Sequence, residues 1–400
     1  MPQHGDHLPG RLDDLIDESE FSWSYCLVGE DQADKLARLT GDLRRGFSTD
    51  GRGKQITSGF SYWGIGPTIA WIQACADPFY LVMRESIASF PKRLRYVLDR
   101  LDGRPFHYVS FGAGTGQKDR EVLRVLHQQH KDLRYVPVDL SAEMLRVAYE
   151  RTGRIVAHPA RQILPVQLDF AVRRNVAALQ ELLVRTVGDE PILYSLLGNT
   201  IANFEEDGEI ARRLTSLLRE QDAFLLEVAT TENLSPVLAD EAAEEYLRSR
   251  AYKEFVTSSL LHNTDLIVDT DSVVFHSSVE KDRALLVRAL YQNRTGHDIR
   301  MTVPDRSQVL FQHEDTILLQ VTRKYLRRTL PAFLGELGTE LVHSTHEEFK
   351  ADNPAGGFGM DMLLLRHDPG QGTDGHKADD GHKAADPAEL LWSDTRRRSR

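Results

Sequence analysis

The stretch FHYVSFGAGTGQKDREVL (106–123) runs from an apolar strand, through a glycine-rich loop, into a helix. Phe106–Gly112 reads as a buried strand, and Val122, Val125 and Leu126 form the i, i+3, i+4 stripe of an amphipathic helix. The same alternation repeats downstream. RYVPVDL (134–140), ILPVQLDF (163–170), PILYSLL (191–197) and DAFLLEVA (222–229) read as further strands, the first three each followed by a helical pattern. Strands that are apolar on both faces and interleaved with amphipathic helices predict a parallel, doubly wound α/β sheet.

Beyond Thr230 the pattern changes. Residues 237–261 read as helical, 265–278 and 284–303 as antiparallel strands, and 308–325 continues as strand before turning helical. TELVHST (339–345) and GGFGMDMLLLR (356–366) read as a closing hairpin. The expected organisation is therefore an N-terminal helical or irregular segment (1–100) contributing to a substrate domain, and a nucleoside-binding sheet (101–237). An inserted α+β subdomain (238–320), a return to the sheet (321–366) and a disordered tail (367–400) follow. DGHKA occurs twice in the tail, whose polar composition favours a solvated chain over a metal site.

Bulk composition narrows the classes. A chain of 400 residues, 41% hydrophobic and with a net charge of −11, is ordinary globular material with no basic face for nucleic acid. It holds no apolar run long enough to span a membrane, and MPQHGDHLPG has none of the features of a secretory signal, so a cytoplasmic protein is expected. Cys26 and Cys75 are too few for a disulfide framework or a Cys-rich zinc site. The sequence leaves the oligomeric state open.

The loop itself suggests a ligand. Gly112, Gly114 and Gly116 would let backbone N–H groups approach one closely at a helix N-terminus. Asp139 ends the second strand at the interval where an acid meets ribose hydroxyls, unless it caps the next helix, a task for which Ser141 competes. Asp169 and Phe170 end the third strand, where they could border an adenine. The G-K-[ST] of a phosphate-binding P-loop is absent, and the spacing is G-x-G-x-G, not G-x-G-x-x-G. Five alternating strands finished by a hairpin favour S-adenosylmethionine (SAM) over NAD as the cofactor.

Four segments in order, FGAGTGQKDREVL, YVPVDLSAEML, LDF and LLGNTIANF, resemble the SAM-dependent histidine N-alpha-methyltransferases of ergothioneine biosynthesis, whose fungal relatives methylate a prenylated tryptophan. The resemblance implies a class I SAM-dependent methyltransferase sheet, Rossmann-like, with parallel strands, a C-terminal antiparallel hairpin and an added substrate-binding domain. It implies that Gly112, Gly114 and Thr115 face the methionine part of SAM, and that Lys118 lies near the cofactor carboxylate. Asp139 would bind ribose, with Asp169 and Phe170 at adenine. It further implies that Gly198 and Asn203 line the acceptor site, with Tyr62 and Tyr246 as candidate acceptor contacts. LLQVTRKY (318–325) is similar to a family segment in which a glutamate and a serine grip an imidazole; this chain has Gln320 and Thr322 there.

Two departures shape the expectation. Glutamine is neutral and both accepts and donates, so Gln320 points to an amino-acid-like amine other than plain histidine. Ser110 stands two residues before the first loop glycine, where SAM folds usually carry an acid for the cofactor's amino group. Methyl transfer from a sulfonium needs alignment and a deprotonated nucleophile, not a dedicated base. His262, His276 and His313 are accordingly read as ordinary surface or core residues. Asn203 and Glu206 also fit a helix capping box. The competing readings are O-, C- or ring-nitrogen methylation in a natural-product pathway, and a non-catalytic partner-binding scaffold on a degenerate fold.

Overall fold

The computed structural model describes residues 25–29, 32–56, 59–101, 103–349 and 357–368. The expected tail therefore lies, apart from residues 367 and 368, outside the described residues, as does the N-terminal decapeptide. In chain order the strands are β1 (Cys26–Leu27), β2 (Lys54–Gln55), β3 (His107–Phe111), β4 (Tyr135–Asp139), β5 (Val166–Gln167), β6 (Ile192–Leu196) and β7 (Ala223–Thr231). After them come β8 (Val273–Glu280), β9 (Ala284–Gln292), β10 (Ile299–Thr302), β11 (Gln308–Phe311), β12 (Thr316–Leu326), β13 (Thr339–Glu348) and β14 (Phe358–His367).

Strands β1-β5-β4-β3-β6-β7 lie side by side and parallel. β14 runs antiparallel along β7, and β13 pairs beyond it, completing the expected hairpin. β3, β4, β6 and β7 are buried at every residue, which explains why their apolar residues fall on both faces. Alternate residues feed opposite faces. Val109, Phe111, Val136 and Val138 pack towards the helices Arg173–Thr186 and Asp207–Thr215, whereas Tyr108, Tyr135 and Leu193 meet Leu81–Leu98 and Gln117–Gln129. The N-terminal segment thus serves the parallel sheet as well, through Phe90, Leu94, Val97 and Leu98.

The expected boundary between 320 and 321 falls inside β12, which is one continuous strand. Its last two residues pair parallel with the end of β7 (Tyr325 with Thr230, Leu326 with Thr231), while most of its length pairs antiparallel with β9, and β9 with β8. β8, β9 and β12 therefore extend the main sheet; only β10 and β11 form a separate ribbon. Periodicity hides this seam, because both parts of the strand are buried at every residue.

β12 also carries a bulge. Leu318 pairs with Leu290 and Gln320 with Ala289, so Leu319 is an extra residue. Leu318 and Val321 consequently share one side with Leu286 and Leu290. Ile317 and Leu319 join the other side, where Phe255, Tyr246 and the Tyr62 ring pack. Simple alternation would have kept Gln320 and Thr322 with Leu318. The extra residue turns them instead towards the phenols of Tyr62 and Tyr246.

Candidate active site

The glycine loop bends over the carboxyl end of β3. Gly114 sits at φ +53° and donates its N–H to Asp139 at 2.9 Å. Gly116 sits at φ +67°, and a Cβ there would stand 2.9 Å from the Ala148 Cα, so the loop and the next helix pack backbone to backbone. Asp139 also accepts the Ser141 N–H at 3.0 Å. Ser141 itself caps the helix, its hydroxyl accepting from the Met144 N–H at 3.2 Å, which frees Asp139 from that role. Burial pushes the Asp139 carboxyl up to about 6, against the pull of its backbone donors.

Beneath the loop lies a charged cluster. Lys118 donates to Glu227 and to Ser86, and Arg93 donates to the other Glu227 oxygen. The Gly198 N–H reaches the same carboxylate at 2.7 Å. Burial alone would raise Glu227, but Lys118 and Arg93 outweigh it and hold the carboxyl at about 2. Lys118 is thus engaged by a protein carboxylate rather than standing free, although it still lines the cleft. Ser110 donates to Asp119 at 2.9 Å, and Asp119 also accepts from the phenols of Tyr108, at 2.8 Å, and Tyr135. The Thr115 hydroxyl accepts from Arg151 at 2.7 Å.

The segment 196–207 is clamped from β12. Asn199 occupies the left-handed region at φ +64°, where asparagine is among the few tolerated non-glycine residues. Its side chain accepts from the Ala229 N–H at 2.9 Å and donates to the Arg323 carbonyl at 3.1 Å. Arg323 in turn donates to the carbonyls of Phe204, at 2.5 Å, and Glu205, at 3.0 Å. The expected capping box does not form. Asn203 ends a 3-10 turn (Thr200–Asn203), and Glu206, at the N-cap position itself, makes no side-chain cap. The neighbouring Asp207 takes the anionic place at that helix start, held by Tyr325 at 2.6 Å and by Arg283.

Asn203 instead donates to the Tyr62 hydroxyl at 3.3 Å, and Gln320 donates to the same oxygen at 3.2 Å. The Gln320 Oε1 is buried and accepts no hydrogen bond among the described residues. Thr322 lies 3.5 Å from the Tyr246 hydroxyl. An aromatic wall stands behind them: Tyr62 meets Trp71 at 5.1 Å and Phe255 at 4.9 Å between ring centroids. Tyr80 is packed against Tyr252 at 5.0 Å.

These pieces enclose one cleft of about 1130 Å³, counting the solvent at its mouth. Ser110, Gly112, Gly114, Thr115, Lys118, Asp139, Phe170, Gly198, Asn203, Tyr62 and Thr322 all line it. Asp169 does not: it pairs with Arg38 at 2.7 Å and accepts the Ala171 N–H at 2.9 Å, leaving Phe170 as the ring exposed to the cleft. Gln320 and Tyr246 stand just behind the lining, the first touching it through Tyr62 and the second through Thr322. Sequence reasoning missed Trp71, Cys75, Tyr80, Met83, Asp119 and Asn199, which also line the cleft, and Glu227 beneath it. A charged residue inside the apolar run LLEVA was a usable signal for Glu227, since a buried carboxylate needs partners. His262, His276 and His313 are exposed and outside the lining. Cys26 and Cys75 are both free thiols. The one His/Glu group among the described residues close enough to share an ion (His107, His130, Glu190) is also outside the lining, at the opposite end of β3.

Residues 39–351 match the family of SAM-dependent, histidine-specific methyltransferases. The chain belongs to this family. The methyltransferase is 24% identical over 261 residues to histidine N-alpha-methyltransferase of Mycolicibacterium smegmatis, covering 64% of this chain and 74% of that protein. Among solved structures it is similar to a SAM-dependent methyltransferase from Clostridium acetobutylicum (12% identity, TM-score 0.37, covering 70% of this chain and 91% of that one). It is also similar to magnesium protoporphyrin IX methyltransferase from Synechocystis (10% identity, TM-score 0.38, covering 76% and 96%). The fold is that of a class I methyltransferase: the parallel strands carry the antiparallel β14 beside β7, as expected. The cofactor is SAM. No helix among the described residues is long and apolar enough to cross a membrane.

Proposed function

We propose that this methyltransferase transfers a methyl group from SAM to the amine nitrogen of an amino acid, or of a small molecule derived from one, other than histidine itself. The observation that carries this reading is the convergence of Asn203 and Gln320 on the Tyr62 hydroxyl, with Tyr62 and Asn203 lining the cleft alongside Gly198. Asn203 offers an amide to the polar groups of an amino-acid backbone. Gln320 leaves a buried acceptor vacant, which suits an N–H donor but lacks the charge that would favour an imidazolium. The aromatic wall of Tyr62, Trp71, Tyr80 and Phe255 favours an acceptor with a flat or bulky apolar side chain.

The residues of the loop fit the cofactor. Gly112, Gly114 and Thr115 bring backbone to the methionine end, Asp139 retains lone pairs for the ribose diol, and Phe170 offers a ring face for adenine. Arg93 and Lys118 set two positive charges against the single Glu227, leaving a net charge for the cofactor carboxylate. SAM supplies a methyl carbon already activated by its sulfonium. The protein's task is then to hold the amine in line with it and to favour the neutral amine. Among the described residues no histidine lines the cleft, and on this reading solvent takes the amine proton. The Cys75 thiol is pushed up to about 12 by burial and keeps its proton, which removes it as a nucleophile.

The test is to incubate the enzyme with methyl-labelled SAM and a panel of aromatic and aliphatic amino acids and their decarboxylated amines. Mass spectrometry then locates the label. Label on the alpha or terminal amine supports the reading; label on oxygen, carbon or a ring nitrogen, or preferred turnover of histidine, overturns it.

A further inference from the structure

Asp119 presents a buried carboxylate at the cleft whose hydrogen-bond donors include no cation; the neighbouring Lys118 acts on it only through space. Asp119 is 2% exposed and lines the cleft. Its three donors, Tyr108, Ser110 and Tyr135, are all neutral hydroxyls. Among the described residues no lysine, arginine or histidine forms an ion pair with it. A buried carboxylate held only by neutral donors is costly to keep charged, and a cationic ligand entering the cleft would complete it. Two oxygens offer about four acceptor sites, of which three are taken.

Its neighbours sharpen this. Asp119 directly follows Lys118, whose cluster with Arg93 and Glu227 carries a net positive charge. The floor of the cleft therefore presents a negative and a positive group side by side, which is the complement of a zwitterion. The position that usually carries the acid is occupied by Ser110, and Ser110 donates to Asp119 at 2.9 Å.

We infer that Asp119, on the helix after the glycine loop, supplies the carboxylate that receives the ammonium of the cofactor's amino-acid end, with Ser110 orienting it. The charge has moved from the strand to the first turn of the helix while still addressing the same ligand group. Tyr108 and Tyr135 hold the carboxylate in place and Ser195 braces Tyr108 at 2.8 Å.

The inference concerns the cofactor and is independent of which acceptor is methylated, so it is tested by binding. Calorimetry would compare S-adenosylhomocysteine with methylthioadenosine, the same nucleoside thioether without the amino-acid end. Asp119→Asn should weaken S-adenosylhomocysteine roughly 10- to 100-fold, the worth of a charge-assisted hydrogen bond, and leave methylthioadenosine unchanged. Asp119→Ser combined with Ser110→Asp should restore the wild-type preference between the two ligands. An equal loss for both ligands would mean that Asp119 only shapes the loop, and no loss for either would mean that it does not meet the ammonium; each overturns the inference. Should Asp119→Asn fail to fold, the double variant decides alone: the wild-type preference supports the inference and a collapsed preference overturns it. Both ligands bind without an acceptor, so a failed acceptor assignment would leave these results unchanged.

Discussion

The two halves of the cleft are built by different means. The half proposed for the cofactor is made where consecutive strands end: the glycine loop after β3, Asp139 at the end of β4 and Phe170 after β5. The half proposed for the acceptor is assembled from distant segments, with Asn203 and Gln320 meeting the Tyr62 phenol across separations of 141 and 258 residues. Topology alone fixes the first, because parallel strands deliver their ends to one edge. The second depends on side-chain packing between the N-terminal segment, the loop after β6 and β12, which is where specificity can change without loss of the fold.

Variants that act on one half and spare the other would sharpen this contrast. The largest effect is expected at Asp139. On the proposed reading, replacing it with alanine would remove two charge-assisted hydrogen bonds to ribose, about 1.5–3 kcal/mol each, so S-adenosylhomocysteine affinity should fall 100-fold or more by calorimetry. In the wild type, affinity should decline as pH drops through about 6, where the carboxyl takes up its proton. The stability sign is opposite. The folded-state value is raised, so this group favours the fold at low pH and the contribution is lost as pH rises through about 6. A ligand-free thermal melt across that range reads it.

Asn199 tests whether the halves share a clamp. Asn199→Ala deletes its side-chain bonds to Ala229 and Arg323 and leaves a non-glycine residue in the left-handed region, a cost of about 2–3 kcal/mol in urea unfolding. Turnover of every acceptor should fall with it. Unchanged stability would mean that Arg323 alone holds the loop. Gln320→Glu should move the enzyme towards histidine, with roughly a tenfold rise in kcat/KM for histidine relative to the preferred amine. A fall for both alike would remove Gln320 from acceptor choice. The smallest effect is expected at Tyr62. Tyr62→Phe strips the acceptor from two amides, so the acceptor KM should rise several-fold, about 1 kcal/mol, while cofactor affinity stays put.

The same contrast explains what the sequence revealed. Gly112, Gly114, Asp139 and Phe170 lie in short strand–loop–helix signals that are complete within a few residues. Asp119 reads as an ordinary acid in a helix's first turn, and only the packing of Tyr108 and Tyr135 around it discloses a buried charge. The Asn203-to-Glu206 spacing satisfied a capping rule, but a 3-10 turn intervenes and Asn203 turns to Tyr62. Asp169 sat at the expected strand end, yet Arg38, from a helix 131 residues earlier, claims its carboxylate. Long-range pairing is what sequence spacing cannot carry.

The extra residue at Leu319 has a consequence for anyone who would redesign the acceptor. It works as an indexing notch. With the acceptor contacts proposed above, two substitutions at 320 and 322 would rewrite what the pocket recognises, while Arg323, on the opposite side, continues to hold the loop it holds now. Excising one residue from the bulge would turn both side chains away from Tyr62 without altering their identity. A graft of this strand segment into another scaffold therefore has to carry the notch along with the letters.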